Sequence, residues 1–350
     1  MRRPSLRRAL ARPLRRALGR PSSAERGKLR GVRPDVALPF DMFDGDLSPE
    51  EARAARKLAG IYHKGQAKAW NGEEVLQGLL ERHRGIQLPA RTREAIVGLF
   101  SVILWGELAA WKVSADLARQ LEPLEAKMAA TSQAHDEARH FYVMHDYLEV
   151  VGDGLPPKLG PHTQAVLNGT LAADTLTKKL MGMQMMIEPM ALALFQIVRE
   201  QQVEPVLCEL LRLYQRDEAR HVALGVLHLP KLIKGLTLTE AADLWTWEFQ
   251  EFWKQFRMLR ELEPHFVALG IDPRRVVDVG RAKQIKANQM LMSELGYEFG
   301  VFPYFLRFFD AKAEWEFPRT VQRDAWGPRL AAALEAGSVG DANVPDLMPA

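Results

Sequence analysis

The sequence predicts an all-α protein built as an antiparallel bundle of long helices. Apolar residues recur at helical spacing over about 89–121, 123–151, 162–201, 204–229, 238–268 and 272–295, with Pro or Gly at the breaks. Strand signals are nearly absent. A helix of about 30 residues spans about 45 Å, too long for a compact α/β layer and suited to an antiparallel bundle.

The elements follow in order. Residues 1–45 form a basic arm whose opening 31 residues contain a single acid, Glu25. Leu6, Leu10, Leu14 and Leu18 recur every four residues, but Pro13 interrupts them, so the arm reads as a disordered tail or a peripheral membrane contact, and it also resembles an organellar transit peptide. The whole chain carries a net charge of only +3, which leaves the body near neutral; no nucleic-acid partner is expected. Order begins at "LSPEEARAARKLAG", where Ser48 caps a helix, Pro49 takes its first position and Glu51 completes the capping box. One helical domain is expected over 46–330, with a bundle at about 89–230, accessory helices at about 231–330 and a flexible tail at 331–350. Cys208 is the only cysteine, which excludes an intrachain disulfide and a thiolate metal cluster and fits a cytoplasmic setting. No run reaches about 18 uninterrupted apolar residues, so a membrane span is not expected.

The pentapeptide DEARH occurs twice, at Asp136–His140 and Asp217–His221. Each copy follows another glutamate by the same interval: Glu107 precedes Glu137 by 30 residues, Glu188 precedes Glu218 by 30, and every member maps onto its partner 81 positions later. The interval midpoints fall at Glu122, beside Pro123, and at Val203, beside Glu204 and Pro205. Each half therefore reads as a helical hairpin whose turn brings its two glutamates level, so that four carboxylates share one layer.

Within each pentapeptide the glutamate and histidine stand three apart, on one helical face. Four carboxylates converging in a bundle interior would repel at a cost of several kcal/mol each. Two divalent cations offset that charge, and one imidazole for each gives a mixed oxygen and nitrogen donor set suited to iron or manganese. A single DEARH would read as a solvated helix face; two copies in register, in the apolar settings "VILWGELAAW" and "MQMMIEPMAL", do not.

On these residues the chain resembles the ferritin-like di-iron carboxylate superfamily, whose pattern is Glu, then Glu-x-x-His, then both again, over roughly 89–230. The resemblance implies a ferritin-like four-helix bundle with additional C-terminal helices. It also implies metal ligands Glu107, Glu137, His140, Glu188, Glu218 and His221, of which Glu137 and Glu218 bridge. Asp136 and Asp217 resemble the acids that hold the opposite hairpin's histidine, with Arg139 and Arg220 neutralising them. The cofactor implied is two iron ions, with manganese and iron together left open. His135 and His145 have no counterparts in the second copy and are not expected as ligands.

Departures narrow the subfamily. Met144 stands where ribonucleotide reductase small subunits carry a radical tyrosine, and no bundle position supplies an obvious substitute. Tyr214 stands where aminoarene N-oxygenases have an additional histidine, and Ala191 and Leu192 stand where desaturases and multicomponent hydroxylases place a threonine. Met181, Met185 and Met186 around Glu188 read as core packing or as the wall of an apolar channel. Pro189 removes a helical hydrogen bond and can kink or bulge its helix. Trp105, Trp111, Met185, Met186, Ala191 and Leu192 are expected to present apolar surface beside the metals. The aromatic accessory helices cover the site or form a homodimer surface.

The expected function is an O2-activating di-iron oxidase, oxygenase or desaturase, acting on a largely apolar or acyl substrate with electrons from an unidentified donor. The alternative is a ferroxidase or iron-binding protein with no organic substrate.

Overall fold

The computed structural model describes residues 48–152, 158–296 and 302–339. The basic arm expected over 1–45 lies outside these residues. Among the described residues the chain is helical with no strand.

Helix α1 (Pro49–Lys68) starts at the foreseen box: Ser48 Oγ accepts from the Glu51 amide at 3.2 Å, and Glu51 Oε2 accepts from the Ser48 amide at 2.9 Å. Asn71 caps α2 (Gly72–His83), which ends on Arg84 in the left-handed region at φ 59°. The first hairpin is α3 (Ala90–Gln120) and α4 (Leu124–Gly152), turning at Leu121–Pro123.

The helix expected over 162–201 is broken. It comprises α5 (Pro161–Leu171), a non-helical step at 172–175, a short α6 (Leu176–Leu180), a π-helical stretch (Met181–Ile187) and α7 (Glu188–Glu200). Both sides of the step are apolar with helical spacing, so periodicity alone could not reveal it. Thr175 marks the restart by accepting from the Lys178 amide. The bulge expected from Pro189 is the π-helix immediately upstream, where the widened ladder tolerates the missing amide.

The second hairpin is α7 with α8 (Pro205–Lys234). Glu204 caps α8 by accepting from the amides of Val206 and Leu207 at 3.0 and 2.7 Å, and the Tyr147 hydroxyl donates to the same carboxylate at 3.0 Å. Helix α8 continues through Pro230, past the expected end at 229. Then come α9 (Leu238–Ala268), α10 (Pro273–Leu295), α11 (Phe302–Glu316) and α12 (Trp326–Val339). Helix α12 corrects the expectation of a tail from 331: residues 331–339 are helical and pack on α11. The rest of that tail lies outside the described residues.

The two hairpins form the bundle, α4 lying against α8. Helix α1 covers α4 and α8, α9 lies on α3 and α5, and α10 lies on α7 and α8. Helix α3 and the Leu176–Glu200 stretch have the length and hydropathy to cross a bilayer, but 56% and 78% of their most apolar windows are buried in the bundle.

The core is divided in two. One cluster takes Ile96–Leu104 from α3, Val143–Val151 from α4, Ala193–Val198 from α7 and Val206–Tyr214 from α8. The other takes Ala110–Leu117, Ala126–Ala130, Leu180–Met185 and Val222–Ile233. In α3, α4 and α8 the gap between the clusters falls at the duplicated acidic positions, so a polar layer lies between two apolar ones.

Candidate metal centre

All six expected ligands meet in that layer. Glu107 on α3, Glu137 and His140 on α4, Glu188 at the start of α7, and Glu218 and His221 on α8 are each no more than 6% exposed. Their donor atoms fall into two groups, each within 4.8 Å: Glu107, Glu137, His140 and Glu218, then Glu137, Glu188, Glu218 and His221. Glu137 and Glu218 belong to both.

Both imidazoles present Nδ1 to the carboxylates. His140 Nδ1 lies 3.4 Å from Glu107, 3.6 Å from Glu137 and 3.1 Å from Glu218. His221 Nδ1 lies 3.0 Å from Glu137, 2.6 Å from Glu218 and 3.8 Å from Glu188. The Nε2 atoms face the other hairpin's aspartate: His140 to Asp217 at 3.3 Å and His221 to Asp136 at 3.4 Å. Arg139 donates to Asp136 and Asp217 at 2.5 and 3.0 Å, while Arg220 lies 2.7 Å from Asp136 and 2.9 Å from Asp217. Two arginines and two aspartates thus cross-tie the hairpins behind the histidines. His135 is 64% exposed at its side chain, and His145 faces Asp146 and Glu149 at the surface, away from the centre.

Burial drives the ionisation of the cluster. It raises Glu107 and Glu188 well above the ordinary carboxylate range, and the charge of Glu218 adds to the shift. It works the same way on Glu137 and Glu218, but there the two histidines outweigh it and both carboxyls are lowered. Burial opposes charge on His140 and His221, yet the surrounding carboxylates hold both well above the usual imidazole value. Against the burial penalty, His221 brings Asp136 down to about 2 and His140 with Trp70 brings Asp217 lower still, so both aspartates stay ionised.

Glu137 Oε2 and His140 Nδ1 are buried without hydrogen-bond partners. Orphaned atoms of this kind cost about 1–3 kcal/mol each, and a cation seated among them would give both a partner. The donor set of carboxylates and imidazole Nδ1 atoms, with each Nε2 held by an aspartate, fits iron or manganese.

Four flanking residues escaped the sequence reading. Gln133 Nε2 donates to Glu137 Oε1 and Glu188 Oε1, both at 3.0 Å, and its own Oε1 accepts from Gln184 of the π-helix at 3.1 Å. The Trp70 indole N–H donates to Asp217 at 2.8 Å, beneath the Arg139 guanidinium. Tyr214 stacks on His140 with ring centroids 4.1 Å apart and donates its hydroxyl to the His140 carbonyl at 2.6 Å. A bundle tyrosine thus stands against a ligand histidine, where the sequence offered no obvious substitute for the radical tyrosine that Met144 replaces. Gln133 and Gln184 each precede a ligand glutamate by one helical turn, which was the available signal; Trp70 lies in a loop far from either motif and offered none.

A cavity with about 80 Å³ of free space opens onto Glu107 and Glu188. Its wall departs from the apolar set expected beside the metals. Ala191 lines it, but Trp105 is 37% exposed, Trp111 lies tilted against Phe141, and Met185, Met186 and Leu192 pack in the core clusters. Val102, Ile103, Met190 and Leu194 take their place.

No protein-family model and no curated protein matches the sequence. Among solved structures, an R2-like ligand-binding oxidase with an aerobically reconstituted metal cofactor aligns at 16% identity and a TM-score of 0.42, over 80% of this chain and 92% of that one. A variant with an aerobically reconstituted Mn/Fe cofactor aligns at 16% and 0.42, over 82% and 94%. Xenon-pressurised phenol hydroxylase from Pseudomonas sp. OX1 aligns at 17% and 0.45, over 91% and 76%. At these TM-scores the superpositions are loose, and the site stands on its own side chains. The antiparallel bundle with its duplicated Glu and Glu-x-x-His halves resembles the ferritin-like di-metal carboxylate proteins.

Proposed function

We propose that the chain is an O2-dependent di-metal oxidoreductase that oxidises a largely apolar organic substrate. The supporting observation is an apolar cavity ending on two of the six converging carboxylate and imidazole side chains. Glu107 and His140 would hold one ion, Glu188 and His221 the other, with Glu137 and Glu218 shared. Two iron ions, or manganese and iron, would supply the reduction of O2.

The remaining work falls to the protein. Asp136 and Asp217 fix the ring orientation of the histidines by accepting from their Nε2 N–H groups, which turns each Nδ1 toward the carboxylates, where a cation would displace its proton. Gln133 orients Glu137 and Glu188 by donating to both. The cavity wall excludes water and places a hydrocarbon portion against Glu107 and Glu188. A cytoplasmic location belongs to the same reading, with the lone thiol, Cys208, buried.

The test is to load the protein anaerobically with ferrous ion, admit air, and measure retained metal and O2 uptake with and without an apolar substrate. About two metal ions per chain with substrate-stimulated uptake supports the reading. Retention of many iron atoms per chain in a large particle would replace it with iron storage.

A further inference from the structure

A second cavity, with about 60 Å³ of free space, stands behind the first and is enclosed by α7, α9, α10 and α11. Met190, Leu259 and Val276 belong to the walls of both. Small residues, Gly106, Ala110 and Ala191, line the inner cavity together with Glu107 and Glu188. The outer one ends at Arg281 and Asp310, which are paired at 2.5 and 2.8 Å and keep some solvent exposure.

Gln255 in the outer wall is 5% exposed, and its Nε2 has no hydrogen-bond partner. The amide orientation is constrained. Gln284 Nε2 faces the Met186 carbonyl at 3.4 Å and so must be a donor, which requires Gln255 to turn its oxygen toward it, at 3.2 Å. The Gln255 nitrogen is left as a buried donor without a partner, whereas the other polar residues of this wall, Gln284, Arg281 and Asp310, are already bonded. Such a group is costly unless a ligand brings an acceptor.

We propose that the two cavities form one site for an amphiphile with an unbranched apolar chain and one neutral carbonyl. The carbonyl oxygen accepts from Gln255 Nε2, and the chain runs past Met190 toward Glu107 and Glu188. Met190 is a suitable divider because its thioether side chain can swing aside without leaving a polar gap. Asp310 already neutralises Arg281, so among the described residues the outer end offers a neutral donor and no uncompensated cation, which favours an ester, thioester or amide over a carboxylate. Combined with the proposed function, on which this step rests, the geometry presents the end of the chain remote from the carbonyl for oxidation.

Calorimetric titration of the metal-loaded full chain without O2 tests the site, using methyl decanoate, N-methyldecanamide and decanoate. One ester or amide should bind per chain, at least tenfold tighter than decanoate, the tighter of the two naming the carbonyl class. Gln255→Met keeps the volume but removes the donor, and should weaken that binding about tenfold with metal content unchanged. Met190→Trp fills the shared wall and should do the same with Gln255 intact, so failure of one variant to fold does not remove the test. No binding of either neutral ligand, decanoate binding as tightly, or wild-type affinity in both variants overturns the proposal. A chain that binds the ester but retains no metal would leave this site standing and remove the proposed function; two metal ions with no ester binding would do the reverse.

Discussion

At the scale of single residues, the centre depends on which ring nitrogen each histidine turns inward. His140→Ala and His221→Ala each remove one nitrogen donor while leaving the shared glutamates, and each should lower retained metal from about two ions per chain to about one, read by elemental analysis. Tyr214 invites a different expectation. Its hydroxyl is bonded to a backbone carbonyl, a group that cannot take up its proton, and burial raises the phenol well above its ordinary pKa. Oxidation of the ring would have to release a proton into a dry interior, so electron paramagnetic resonance after O2 exposure should show no long-lived tyrosyl signal. Glu248 lies outside the centre, where burial alone raises its carboxyl to about 7. Between about pH 4.5 and 7 the folded state keeps this proton and the unfolded chain has lost it, so stability falls as pH rises through that window and levels off above it. Glu248→Gln should flatten this slope and gain on the order of 3 kcal/mol at pH 8, measured by denaturant unfolding across pH.

At the scale of elements, the π-helix before Glu188 fits only because α8 has a glycine opposite it. A Cβ on Gly225 would stand 2.6 Å from the Gln184 Cβ and 3.4 Å from the Met185 sulfur. The near atom belongs to the stem of Gln184, which cannot rotate away, and Gln184 in turn supports Gln133. Gly225→Ala should therefore destabilise the protein by about 1–2 kcal/mol, because overpacking exceeds the helix-propensity gain of about 1 kcal/mol; denaturant unfolding and metal retention measure the two effects. This element also marks where the sequence stopped being legible. The hairpins and all six converging side chains could be found because the 81-residue repeat states each of them twice. The step at 172–175, the π-helix and Tyr214 have no such echo: the repeat equivalent of Gln133 is Tyr214 itself, so one copy could not announce the other. Trp70 reaches Asp217 only through the packing of α1 and α2 on the bundle, a tertiary fact with no local signature.

At the scale of the whole molecule, the polar layer between two apolar clusters explains why assembly and cofactor should be inseparable. Asp136 of the first hairpin holds the histidine of the second, Asp217 returns the contact, and each group of donor atoms draws on both hairpins. A half-chain ending after α4 would own only His140, Glu107 and Glu137 of the six donors and could complete neither group. Cut between α4 and α5, the two fragments should each bind iron weakly, and mixing them should restore about two ions per pair, followed by equilibrium dialysis. Metal would then act as an inspector of assembly: it can be captured only once both halves have docked in register, so iron occupancy in a growing cell would report how much of the chain has completed its fold.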